Sequence, residues 1–138
     1  MAGEPATVTY LIAEAFPKAL RTIRRILSAR HLHVTGGLDI AARTQQKLLI
    51  DTAPCVVLFV SPSPPLGAAL RTDRSAAALT AFHIVVSERG QQTEVHVLRA
   101  LPDNCGALEP PAAAALNVAH SQILRAIESI GMPAAMGV

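Results

Sequence analysis

Aromatic side chains are what this chain most lacks: it has no tryptophan, one tyrosine and three phenylalanines in 138 residues. Single-stranded nucleic acids and sugars are gripped by stacking on aromatic platforms, so such a platform is excluded as the basis of function. Long apolar runs are missing too. The longest, Ala53 to Val60, contains Pro54 and falls far short of the roughly 20 residues a spanning helix needs. The opening Met-Ala-Gly-Glu-Pro has neither the basic nor the apolar segment of a signal peptide. A cytoplasmic location is expected, with no membrane partner. The two cysteines, Cys55 and Cys105, are then expected as reduced thiols. Charge of one sign is also scarce. Twelve basic against ten acidic residues leave +2, too little to point to a polyanionic partner such as nucleic acid. Nor does the chain carry a phosphate loop, a cofactor fingerprint or a recognisable nucleophile–base–orienter set. The reading therefore leans away from catalysis and implies no cofactor.

What is present is aliphatic. Hydrophobic residues make up 51% of the chain, mostly Ala, Val, Leu and Ile, enough for one packed core in a chain of single-domain length. That domain is expected over residues 7–131, between short tails at 1–6 and 132–138. Residues 7–13 read as a strand, and Pro17 suits the first turn of a helix over 17–30. His31 to Ile40 alternates as a strand, with Gly36-Gly37 marking a bulge or bend. A short helix over 41–49 follows. Cys55 to Ser61 is continuously apolar, the pattern of a strand buried on both faces, with Cys55 as a small core residue. Ser61 to Gly67 is a stiff turn whose Ser63 and Pro64 open a short helix over 64–72. Residues 82–88 and 93–98 form a hairpin, Pro102 to Pro111 a loop, and the last helix runs from about 111 to 130 before Gly131 and Pro133. The class is α+β: a mainly antiparallel sheet of about five strands, ordered β-α-β-β-(short α)-β-β-α, with two main helices on one face.

A two-residue turn at Arg89-Gly90 would pair Phe82 with Val97, Ile84 with Val95 and His83 with His96. A shift of two residues would keep the faces separate and make the histidines diagonal neighbours. In either register His83, His96 and Glu94 share a polar face. His31 and His33 share a face of their own strand, and together these groups are the candidate polar sheet face. Imidazoles with a carboxylate can bind a divalent metal, but no established metal-ligand spacing is present, and a solvated or dimer-facing surface explains them as well. Cys105, in a polar loop, is a candidate thiol with no base close in sequence. His120 lies on the apolar side of the last helix and reads as a hydrogen-bonded histidine at the core margin, with a proton-transfer group at a pocket floor as the alternative. Lys18, Arg21 and Arg25 line one face of the first helix as a candidate basic face for phosphate or an acidic partner. A solvated helix face carries the same pattern.

Several stretches in order resemble the domain-of-unknown-function 302 (DUF302) family. Leu38-Asp39-Ile40-Ala41-Ala42 is similar to its segment after the second strand. Ser61-Pro62-Ser63-Pro64-Pro65-Leu66 resembles its Asn-Pro-Pro-Leu turn, and Arg71-Thr72-Asp73 its helix end. Phe82 to Glu88 with Thr93 to Val97 resembles its closing hairpin. With the two long helices the likeness covers about residues 7–130, carried by order and spacing. It implies a compact α+β fold, often assembled as a homodimer, and no established reaction. The chain departs where many members have Cys-Asn-Pro and Leu-Pro-Cys; here stand Val60-Ser61-Pro62 and Thr80-Ala81-Phe82. A homodimer with an apolar surface or small-ligand pocket is the first expectation. A metal-dependent protein or enzyme using the sheet histidines, and more weakly a nucleic-acid or acidic-protein adaptor using the basic first helix, are the alternatives.

Overall fold

The computed structural model describes residues 6–49, 52–61, 82–99 and 110–134. The stiff turn, the short helix over 64–72, the Arg71 to Asp73 segment and Cys105 lie outside them. The described elements run β1 (Thr7–Ile12), α1 (Phe16–Ala29), β2 (His33–Asp39), α2 (Ile40–Leu48), β3 (Cys55–Ser61), β4 (Phe82–Arg89), β5 (Gln92–Leu98), α3 (Pro110–Glu128) and β6 (Met132–Pro133). The strands form one six-stranded sheet in the order β2-β3-β4-β5-β1-β6, every pair antiparallel. The α+β class holds, with one strand more than expected.

Alternation builds the core. Tyr10, Ile12, Leu58, Ile84, Val86 and Val95 are buried on one face of the sheet. Ala19, Ile23 and Leu27 of α1 and Leu116, Ile123 and Ile127 of α3 join them in a single cluster. The helical residues recur every three to four positions and form one apolar stripe per helix. Pro17 sits in the first turn of α1, where its missing N–H costs nothing. His120 is 7% exposed, and its Nε2 lies 2.8 Å from the Leu98 carbonyl. It is the hydrogen-bonded histidine of the core margin that its helical position predicts.

Four local expectations need correcting. The hairpin turns at Gly90-Gln91, not Arg89-Gly90: Arg89 pairs with Gln92, Val86 with Val95 and Val85 with His96. Gly90 adopts φ +60°, the positive value that a type II′ hairpin requires at its first central position. Placing glycine there shifts every pair by two residues, so His83 and His96 are diagonal neighbours. Secondly, His31 is not on β2. It ends the α1–β2 turn at φ 61°, and the strand begins at His33. Thirdly, β3 is not buried on both faces. Leu58 and Val60 are buried, but Phe59 is 38% exposed and Cys55 is half-buried outside the core. Finally, residues 132 and 133 are not a loose tail, because Leu11 pairs with Met132 and Tyr10 with Pro133. The bulge at the two glycines is present, with the β2–β3 register slipping between Val34 and Gly36.

Gly131 makes the β6 pairing possible. A Cβ there would stand 3.2 Å from the Leu11 carbonyl oxygen and 3.3 Å from an Ile12 side-chain carbon. Gly131→Ala is therefore expected to lower stability by about 1–3 kcal/mol, the usual cost of overpacking against a fixed backbone. A urea midpoint equal to wild type would show that the α3–β6 turn yields freely.

Candidate functional site: the second face of the sheet

Both long helices lie on one face of the sheet. The other face carries half-buried and exposed residues, and every sheet histidine lies on it. Directly opposed residues share a face, so the registers place Leu38, Val57, Val85, His96 and Thr9 in one row across β2, β3, β4, β5 and β1. Beside that row Phe59 stands opposite His83. On its other side Cys55, Ser87, Glu94, Leu11 and Met132 form a third row. Leu38, Val57, Phe59 and Val85 form an apolar patch on the β2–β3–β4 half, edged by His33, Ser61, His83 and Ser87, and the β5–β1 half is mostly polar.

The polar half is hydrogen-bonded. Thr9 Oγ1 lies 3.0 Å from His96 Nδ1, His96 Nε2 lies 3.3 Å from Glu94 Oε2, and Arg89 Nη1 donates to Glu94 Oε1 at 3.0 Å. When Nε2 carries the proton toward Glu94, Nδ1 is left to accept the Thr9 hydroxyl. Glu94 then orients the ring, and Arg89 neutralises Glu94. Chemically this is a hydroxyl–imidazole–carboxylate chain able to hold and relay one proton. Its members come from the β4–β5 hairpin and from β1, 87 residues from His96 in sequence, and Thr9 and Arg89 were not among the sequence candidates. The only advance signal would have been the β1–β5 pairing, which no local pattern carries.

The remaining candidates do not converge on that cluster. His83 is exposed beside Phe59, His33 faces Ser61 two strands away, and His31 sits in its turn. No group of three or more His, Cys, Asp or Glu side chains that could hold a metal comes together among the described residues. The Cys55 thiol faces Ser87, and its pKa is raised, first by burial and then by the nearby Asp39 carboxylate. That leaves it less nucleophilic than a free thiol. Asp39 is occupied otherwise, its Oδ1 accepting the Ala42 N–H at 2.9 Å as the N-cap of α2. Lys18, Arg21 and Arg25 are all exposed on α1. Lys18 Nζ pairs with Glu14 at 3.4 Å.

At the corner of β1, β5 and β6 a cavity of about 480 Å³ opens, lined by Leu11, Gln92, Ser129, Ile130, Met132 and Pro133 among others. Its size falls within the range of small-ligand sites. Leu11 is the cross-strand partner of Glu94, so the cavity borders the polar cluster. No helix among the described residues is long and apolar enough to cross a membrane.

Against known proteins, residues 8–130 match the family "Domain of unknown function DUF302". The chain belongs to the DUF302 family. The chain is also similar to the crystal structure of an uncharacterized conserved DUF302 protein from Bacillus stearothermophilus. The TM-score is 0.78 at 12% identity, and the alignment covers 92% of this chain and 99% of that one. At that identity the likeness establishes the fold. No curated protein matches the chain, and neither the family nor the Bacillus protein is described by an activity. The comparisons therefore indicate no specific function.

Proposed function

We propose that this DUF302 domain is a non-enzymatic interaction module that forms a homodimer through the second face of its sheet, with a small-ligand site at the β1–β5–β6 corner. The observation carrying it is the apolar patch on that face, where Leu38, Val57 and Val85 are half-buried and Phe59 is 38% exposed. A self-association surface in a two-fold dimer meets its own copy, so it must be self-complementary. This face meets that condition electrically. Its charged pair, Arg89 and Glu94, is already joined, so a second copy encounters no net charge. Five strands spaced about 4.8 Å apart and about 20 Å long offer a face on the order of 500 Å² in projection. Its accessible surface is larger, on the scale of the roughly 800 Å² per partner of a standard interface. A cytoplasmic location is part of the same reading, supported by the free Cys55 thiol.

Sedimentation equilibrium tests the assembly. The wild-type chain is expected to be a dimer at micromolar concentration. Val57→Asp, which sets an unpaired carboxylate in the middle of the face, is expected to weaken it at least about 100-fold. Circular dichroism should show the variant still folded, because Val57 points away from α1 and α3. A wild type that sediments as a monomer at about 100-fold higher concentration would end the proposal.

A further inference from the structure

The net charge of +2 hides a strong asymmetry. Helix α1 and its C-cap carry Lys18, Arg21, Arg24, Arg25 and Arg30, all exposed. Arg43 and Lys47 follow on α2. Against these seven, residues 14–49 contain only Glu14 and Asp39, leaving +5 in 36 residues. The other described residues balance, with Arg89, Arg99 and Arg125 against Glu88, Glu94 and Glu128. The rest of the sequence carries two basic and five acidic residues, which brings the chain to +2, so the whole basic excess sits on one segment.

Its placement is ordered. At 100° per residue, Lys18, Arg21 and Arg25 fall within about 60° of one another, directly opposite the stripe of Ala19, Ile23 and Leu27 that enters the core. Arg24 lies on the flank toward β2, its Nη2 3.8 Å from where a Cβ on Gly37 would stand. Among the described residues the one ion pair on α1 is Lys18 with Glu14, an exposed i,i+4 contact of small value. The arginines are available.

Four polyanions could meet such a stripe, and the surroundings of α1 choose between them. An anionic membrane is bound by an amphipathic helix that inserts its apolar face, but the apolar face of α1 is spent in the core. An acidic protein partner needs apolar anchors at the centre of the contact, and around these basic side chains α1 shows Pro17, Thr22, Ser28, Ala29 and the rim of Leu20 and Ile26, with no large exposed apolar side chain. Single-stranded nucleic acid wants aromatic platforms, and the described surface of α1 has none. A duplex phosphate backbone needs none of these. It is gripped by clustered Arg and Lys alone.

We propose that the outer face of α1 binds double-stranded nucleic acid through its phosphates, without sequence preference. This is independent of the sheet-face dimer, which leaves α1 facing outward. Fluorescence anisotropy of the full chain with a labelled duplex of mixed sequence is the test. At about 50 mM salt a saturable rise is expected, with affinity falling on a log–log slope of about −2.7 to −4.5 toward 200 mM, as three to five neutralised phosphates require. Arg21→Glu with Arg25→Glu, both exposed, should reduce affinity at least tenfold and flatten the slope by about 2. Unchanged ellipticity confirms that the variant is folded. Absence of binding at low salt, equal binding by the reversed variant, or equal competition from poly-glutamate or anionic vesicles would each overturn the proposal.

Discussion

Leu58→Ala should cost about 2–5 kcal/mol, whereas Phe59→Ala, one residue on, should cost an isolated subunit much less. Leu58 is fully buried in the middle of β3, beside Ile84 on β4 and with its Cδ2 3.5 Å from the Cβ position of Gly37. Removing three carbons there loses their transfer energy and leaves a cavity between a sheet and two helices that cannot close on it. Phe59 faces the other way and keeps 38% of its surface in solvent, so its truncation exposes little that was hidden. In a dimer closed on that face the comparison gains a second signature. The Leu58 loss is then independent of protein concentration, while the Phe59 loss grows as concentration rises, because it falls on association. Urea melts at two concentrations at least tenfold apart read both effects. If Phe59→Ala proved as damaging as Leu58→Ala at every concentration, the second face of β3 would have to be packed within the subunit.

That contrast marks where the sequence stops being informative. In Cys-Val-Val-Leu-Phe-Val every residue is apolar, and periodicity cannot separate a strand buried twice from one buried once whose second face waits for a partner. The helices and the alternating strands were legible because each buries a single stripe, and the 3.6- or 2-residue repeat records it. The family was legible from order and spacing. The hairpin register was not, because either two-residue turn keeps the apolar face intact, and the choice rests on which position can hold a positive φ. Gly90 decides that at the first turn position. The polar cluster was half legible. His96 and Glu94 alternate onto one face of β5, but Thr9 is 87 residues away in sequence and meets His96 only because β1 closes the sheet beside β5. The basic stripe illustrates the converse. Each of its residues was readable on α1, yet the whole-chain charge averaged it away.

The solitary tyrosine makes one electrostatic consequence of the fold directly measurable. Tyr10 is 3% exposed on the core face of β1, and its hydroxyl donates to Glu128 Oε1 at 3.0 Å. Burial, then the hydrogen bond and the negative charge of Glu128, push its pKa up to about 12, with the Arg99 guanidinium pulling weakly the other way. The unfolded chain titrates this phenol near 10, so between about pH 10 and 12 the folded state holds a proton that the unfolded state has released. Stability contributed by the raised pKa is complete below about pH 10 and is lost as the pH climbs toward 12, a fall on the order of 2–3 kcal/mol. With no tryptophan and no second tyrosine in the chain, tyrosinate absorbance near 295 nm reports this group alone. Its midpoint should lie about two units higher in the native protein than in concentrated urea. Tyr10→Phe should remove this part of the alkaline decline and cost about 1–2 kcal/mol at neutral pH, the price of a hydrogen bond to a carboxylate at the core margin. A native midpoint near 10 would mean that the phenol is open to water and that the α3 end is not closed over β1. Glu128→Gln separates the two contributions. It keeps an acceptor but removes the charge, so the midpoint should drop while remaining above 10, because burial is the larger cause.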